Sequence, residues 1–140
     1  MLAIDNRQST IDKVMPKRIL IVDDSEMTRR LISTAVRGSL GDFEYEEAKD
    51  GFEALQKLPT KQFDLLFVDI NMPNINGIEL IDYCKQSERY KHIPIIIIST
   101  EDSSKDREKG LELGASDYLI KPIQLDRLIE VIQKTTEQQL

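Results

Sequence analysis

The stretch LLFVDINMPNING, Leu65 to Gly77, decides the fold. Its first four residues are apolar without alternation, the pattern of a strand covered on both faces, as in parallel sheets flanked by helices. A polar loop opening with Asp69 follows, and then Ile78, Leu80, Ile81 and Cys84 recur at helical spacing. Strand, loop and helix in that order make up most of one crossover unit, and a single crossover implies neighbours of the same kind on either side.

Those neighbours are present. Toward the N-terminus, RILIV (Arg18 to Val22) is a β-branched run, followed by Met27, Leu31, Ile32, Ala35 and Val36 at helical spacing until Gly38 and Gly41. FEYEEA (Phe43 to Ala48) alternates in the manner of an edge strand. Asp50 is placed to cap a helix from Phe52 to Leu58 that Pro59 ends. Toward the C-terminus, IIIIS (Ile95 to Ser99) is a fourth strand, TEDSSKDRE leads into a short helix ending near Leu113 and Gly114, and DYLI (Asp117 to Ile120) is a fifth strand. A last helix begins near Leu125 with Leu128, Ile129 and Ile132 on one face. Five strand-helix alternations predict an α/β, doubly wound parallel sheet with helices on both faces.

Length and composition bound what such a sheet does. A chain of 140 residues supports one core, with 40% hydrophobic and 31% charged residues as in ordinary globular domains. The expected organisation is an N-terminal extension over residues 1–16 and one domain over 17–140, with no room for an output domain. Ile4, Ile11 and Val14 are too few to define a docking helix in the extension. The net charge of −6 and the absence of a basic run argue against nucleic-acid binding. Asp5, Arg7, Asp12 and Lys13 interrupt any N-terminal run long enough for a signal peptide or membrane span. A lone cysteine, Cys84, excludes an internal disulfide and reads as a small residue packed on a helix. The expected location is cytoplasmic.

Open α/β sheets bind ligands beyond the carboxyl ends of their strands. The residues there are Asp23 and Asp24 after the first strand, Asp69 after the third, Ser99 ending the fourth and Lys121 after the fifth. Taken singly, Asp24 or Ser25 reads as a helix cap, Asp69 as a turn residue and Lys121 as a solvated side chain. Taken together they place three carboxylates, a hydroxyl and an ammonium on one edge. Clustered carboxylates repel unless a cation or proton intervenes, and an all-oxygen donor set suits Mg²⁺ rather than zinc. Beside a cation, Asp69 can remain ionised and act as a nucleophile on phosphorus, with Lys121 and Ser99 as partners for phosphoryl oxygens. Lys121 precedes Pro122, and X-Pro bonds are the ones that adopt cis. His92, the only histidine, lies in the hydrophilic stretch SERYKH and reads as a solvated loop residue.

The acidic pair after the first strand, the DINMP run, Ser99 after PIIII and the Lys121-Pro122 pair together resemble response-regulator receivers over roughly Lys17 to Lys134, and most of all their CheY-like single-domain members. The resemblance implies a flavodoxin-like sheet of order 2-1-3-4-5 with five helices. It implies that Asp69 is the phosphoacceptor, forming a 4-aspartylphosphate. Mg²⁺ would be bound by Asp24, Asp69 and the backbone carbonyl of Asn71, with Asp23 acting through water. Ser99 and Tyr118 would be the switch pair, and Asn71, Thr100 and Glu101 would set phosphoryl lifetime. Thr100 stands where the family usually has a smaller residue. A sensor histidine kinase or phosphotransfer protein would be the donor, and a downstream protein would read the surface of the fourth helix, fifth strand and fifth helix. The chain would then be a phosphoacceptor switch in two-component signalling and not a dedicated enzyme.

Other readings fit less well. A haloacid-dehalogenase-like phosphatase also uses an aspartate nucleophile and Mg²⁺, but carries a second aspartate two residues on, where this chain has Asn71, which cannot act as a general acid or base. Nucleotide binding after the first strand calls for glycines, and the sequence there is DDSEMT. A receiver-like interaction module that works without phosphorylation is the alternative, although such modules usually lack one of the key residues, all of which are present here.

Overall fold

The computed structural model describes residues 17–39, 43–72 and 75–137. The extension expected over residues 1–16 and the helix stop expected at Gly41 lie outside them. The elements are β1 (Lys17–Val22), α1 (Glu26–Ser39), β2 (Phe43–Ala48), α2 (Gly51–Lys57), β3 (Leu65–Asp69), α3 (Gly77–Gln86), β4 (Ile95–Ser99), α4 (Ser104–Leu113), β5 (Asp117–Ile120) and α5 (Leu125–Glu137). All strand pairs are parallel, in the order β2-β1-β3-β4-β5. The expected sheet and its two helical layers are both present.

The two-residue period of a strand divides the core into two layers. Leu20 and Val22 of β1, Leu66 and Val68 of β3, and Ile95 and Ile97 of β4 face one way, against Ala54 of α2 and Leu80, Ile81 and Cys84 of α3. Ile19, Ile21, Leu65, Phe67, Ile96 and Ile98 face the other way, against Ile32, Ala35 and Val36 of α1 and Leu128, Val131 and Ile132 of α5. β3 and β4 are fully buried, as their unbroken apolar runs require. Truncating any of these large side chains to alanine costs about 2–5 kcal/mol. Cys84 packs in the core as expected, and its burial pushes the thiol up to about 12.

Local signals account for the helix boundaries. Ser25 Oγ accepts from Thr28 N at 3.2 Å, and Asp50 caps α2 by accepting from Glu53 N at 2.8 Å. α3 opens with a reciprocal Asn76–Glu79 capping box. Pro59 begins a 3-10 turn over Leu58–Thr60, so α2 stops at Lys57, one residue before the expected end. On α5 the buried stripe is Leu128, Val131 and Ile132, and Ile129 is only half-buried, because the helix turns Val131 onto the sheet. The apolar series of α1 departs most from expectation. Met27 is 83% exposed and Leu31 39%. They lie beside Pro122 and Ile123 at the carboxyl edge, not over the sheet. Among the described residues no helix is long and apolar enough to cross a membrane.

Candidate functional site

Parallel register brings the strand ends together. Asp23 N donates to Ala48 O at 3.0 Å, Ile70 N to Ile98 O at 3.0 Å and Lys121 N to Ser99 O at 2.8 Å, so the ladders continue past the strands into the loops that carry the polar residues. Asp23, Asp24 and Asp69 each offer a carboxylate oxygen within 4.8 Å of the others. Lys121 reaches across them, its Nζ 3.1 Å from Asp23 Oδ2 and 3.4 Å from Asp69 Oδ2. The Lys121-Pro122 bond is cis.

Burial divides the acidic trio. Asp23 is 0% exposed and Asp69 1%, whereas Asp24 is exposed. Asp23 Oδ1 accepts from Ser25 N and Asp69 Oδ1 from Asn71 N, each at 2.8 Å. Burial raises the Asp69 carboxyl to about 6; the Asn71 amide opposes this, the Asp23 charge adds to it, and Lys121 pulls it down. Asp23 is also raised, by burial first, against the lowering effects of the Ser25 amide and Lys121. Lys121 is raised although burial acts to lower it, because the charges of Asp23 and Asp69 prevail.

The donor set fits a hard divalent cation. Three carboxylates face one ammonium, and Asp23 Oδ2 is buried without a hydrogen bond, Lys121 Nζ lying close to it but outside hydrogen-bonding geometry. Two buried carboxylates and a third beside them exceed the one ammonium that pairs with them, and a cation offsets that repulsion and desolvation cost. Oxygen ligands without nitrogen or sulfur suit Mg²⁺ or Mn²⁺.

The remaining expected residues lie around this centre. Ser99 is fully buried at the end of β4. Tyr118 is half-buried on β5, packed against the core layer of α2 and α3. The Asn71 side chain bridges two loops: its Nδ2 donates to Ser103 Oγ at 3.1 Å, and its Oδ1 accepts from Thr100 N at 3.3 Å. Thr100 Oγ1 bonds Asp102 at 2.6 Å and Ser103 at 2.9 Å. Glu101 enters this network through its carbonyl, and its side chain is exposed. His92 is exposed at the opposite end of the sheet.

Two contributors were not legible as site residues. Gly77 packs so closely beneath Asp69 that a Cβ there would lie 2.3 Å from the Asp69 carbonyl oxygen; the NG pair preceding the helix was the available signal. Arg107 donates to Ser99 Oγ at 3.2 Å and to the Thr100 carbonyl at 2.6 Å. Nothing in TEDSSKDRE distinguishes that arginine from a solvated one.

Comparison with known proteins agrees with this geometry. Chemotaxis protein CheY of Pseudomonas aeruginosa is 37% identical over 120 residues, covering 86% of this chain and 96% of its own. The solved structure of the chemotaxis response regulator CheY4 of Vibrio cholerae matches with a TM-score of 0.78 at 32% identity, over 86% of this chain and 99% of that one. The Mn²⁺-bound form of response regulator Rcp1 matches with a TM-score of 0.74 at 29% identity, over 85% and 91%. The sequence pattern of the response regulator receiver domain matches residues 19–133, and the chain therefore belongs to that family, as a CheY-like receiver domain of two-component response regulators.

Proposed function

We propose that Asp69 accepts a phosphoryl group and that the chain thereby acts as a Mg²⁺-dependent switch. The observation that carries this reading is the convergence of Asp23, Asp24 and Asp69 within 4.8 Å under the single ammonium of Lys121. An Asp69 carboxylate oxygen attacks phosphorus as the bond from phosphorus to the donor's leaving nitrogen or oxygen breaks. The donor is a phosphohistidine on a sensor histidine kinase or phosphotransfer protein, or a small acyl phosphate. Mg²⁺ would be held by Asp24, Asp69 and the Asn71 carbonyl, with Asp23 acting through water, and would neutralise charge on the transferring oxygens. The Mn²⁺-bound state of Rcp1 supports a divalent cation in a receiver of this kind.

Lys121 takes a phosphoryl oxygen, a role supported by its pairing with Asp69. Ser99 supplies a hydroxyl for another. Asn71, Thr100 and Glu101 border the approach of water and set the lifetime of the aspartyl-phosphate. Ser99 and Tyr118 relay the event to the α4-β5-α5 surface, where a downstream protein binds. A covalent modification shifts an equilibrium that already exists in the unmodified chain. The protein is in this reading a phosphoacceptor that turns itself over slowly, not a dedicated enzyme, and its partners are cytoplasmic proteins and not nucleic acid or membrane.

Intact-protein mass spectrometry after incubation with acetyl phosphate tests this reading. A single adduct that requires Mg²⁺ and is absent from Asp69→Ala is expected. Uptake by the variant, or none by the wild type even with a cognate kinase, sinks it.

A further inference from the structure

Arg107 is the one cation that touches both members of the proposed switch pair, among the described residues. Its Nη1 donates to Ser99 Oγ at 3.2 Å and to the Thr100 carbonyl at 2.6 Å, and its Nη2 reaches the Glu101 carbonyl at 3.4 Å. The same guanidinium lies 5.6 Å from the centre of the Tyr118 ring. Arg127 approaches that ring as well, at 5.9 Å, but its donors go to Asp117 Oδ1 at 2.9 Å and the Tyr118 carbonyl at 3.2 Å, away from Ser99. Ser99 is fully buried, and the arginine is the side-chain partner of its hydroxyl.

We propose that Arg107 is a positioning residue that holds Ser99 and Tyr118 in the resting arrangement, and that its release is part of the work the phosphoryl group does. The inference rests on the phosphoacceptor reading of Asp69. A planar guanidinium donates in a fixed fork, so bonds to Ser99 and to the Thr100 carbonyl also fix the ring-facing position of the group. A charge-assisted bond into a buried hydroxyl is among the stronger neutral-partner hydrogen bonds, and its acceptor lone pair sets which way the hydroxyl is turned. The accepted bond leaves the Ser99 hydroxyl proton free to donate, so the latch acts on position: in the switch reading Ser99 moves toward the phosphoryl oxygen on Asp69 and out of the place where the guanidinium holds it. The loop from Thr100 to Glu101 must then move with it, and the guanidinium must leave its seat over Tyr118 or carry the ring along. Arg107 therefore stabilises the resting state and lowers the apparent affinity for anything that requires the other one, by the fraction of chains in which the latch is open.

The sign of this effect separates it from simple charge attraction. Removing a cation from the neighbourhood of an anion weakens anion binding; removing a latch strengthens it. Beryllofluoride with Mg²⁺ serves as the phosphoryl mimic and calorimetric titration as the readout. Arg107→Gln is expected to bind the mimic about tenfold more tightly than wild type, a coupling within the usual allosteric range. The gain should vanish when Ser99→Ala is also present, since the hydroxyl that is held is then gone. Arg107→Lys, which keeps the charge without the fork, should fall between. Arg127→Gln, which touches the same ring without reaching Ser99, should stay within about twofold of wild type.

Unchanged or weaker binding by Arg107→Gln overturns the latch. So does a gain that persists without Ser99, or an equal gain in Arg127→Gln, because either would trace the effect to packing around Tyr118. A wild type that takes up no mimic with Mg²⁺ would instead bring down the phosphoacceptor reading, and the latch with it.

Discussion

The two ends of the sheet treat their charged groups in opposite ways. At the amino edge, the backbone amide of Arg18 donates to Asp64 and its guanidinium pairs with Glu44, while Lys61 pairs with Glu46 at 2.9 Å. These are pairs of opposite sign whose basic members stay in contact with solvent, such as Lys61 at 48% exposed. At the carboxyl edge, three carboxylates share one lysine and two of the three are buried. The amino edge also holds a cavity of about 510 Å³, lined by residues including Lys17, Asp64, Lys85 and His92. A cavity of about 580 Å³ lined by residues including Ser25, Met27, Leu31 and Lys121 borders the carboxyl edge, so cavity size does not tell the two ends apart. A buried charge imbalance does, because folding keeps it only where something else offsets the cost.

The comparison breaks most decisively on phosphoryl uptake. Asp69→Ala should remove it altogether, and Asp64→Asn at the amino edge should leave it at the wild-type level by intact-mass measurement. Equal losses would mean that the imbalance at the carboxyl edge has no special role.

The next largest effects are on stability. Lys121→Ala leaves Asp23 and Asp69 without their cation and should cost about 2–3 kcal/mol in chelator-treated protein, by denaturant titration, with part of the loss restored by Mg²⁺. Lys91→Ala, which breaks a solvent-exposed pair with Glu88, should cost no more than about 0.5 kcal/mol. Gly77→Ala should also destabilise, by about 2–3 kcal/mol, because its Cβ would collide with backbone that cannot move without moving Asp69. Gly38→Ala, where a Cβ would meet nothing within 4 Å, should be neutral or slightly stabilising.

The smallest effect is a pH dependence. With Asp69 raised from its ordinary 3.8 to about 6, the folded metal-free chain keeps a proton there that the unfolded chain releases. Folding then takes up protons between those values, so stability grows as pH falls through 6 and the gain levels off below the ordinary carboxylate value. Between pH 7 and pH 5, wild type should gain about 1 kcal/mol relative to Asp69→Asn in chelator-treated buffer. Mg²⁺ binding should follow the opposite course, weakening as pH falls and protons compete for the same oxygens. A flat difference between the two chains would show that burial does not raise Asp69.

Much of this protein was legible from its sequence alone. Unbroken apolar runs such as Leu65 to Val68 and Ile95 to Ile98 are determined locally, since a strand covered on both faces has no polar side to display. Residues at strand ends were equally readable, because chain order places Asp23, Asp69, Ser99 and Lys121 at or just past the carboxyl ends of their strands whatever the packing. Tertiary structure alone decided how those ends are used. Asp23 and Asp24 are adjacent and chemically identical, yet one is buried against Lys121 and the other exposed, because successive side chains leave the backbone in different directions and only the folded edge says which direction is inward. Met27 and Leu31 fit the apolar series of α1 and still meet no sheet, because where a helix overhangs its strand depends on the loops at both ends. Arg107 sits eight residues after Ser99 in an unremarkable polar run, and its reach back onto the hydroxyl and onto Tyr118 depends on how α4 docks beside β4 and β5. Periodicity specifies which face of an element is apolar; the three-dimensional docking of elements specifies which polar atoms are forced together, and that is where the chemistry of this chain resides.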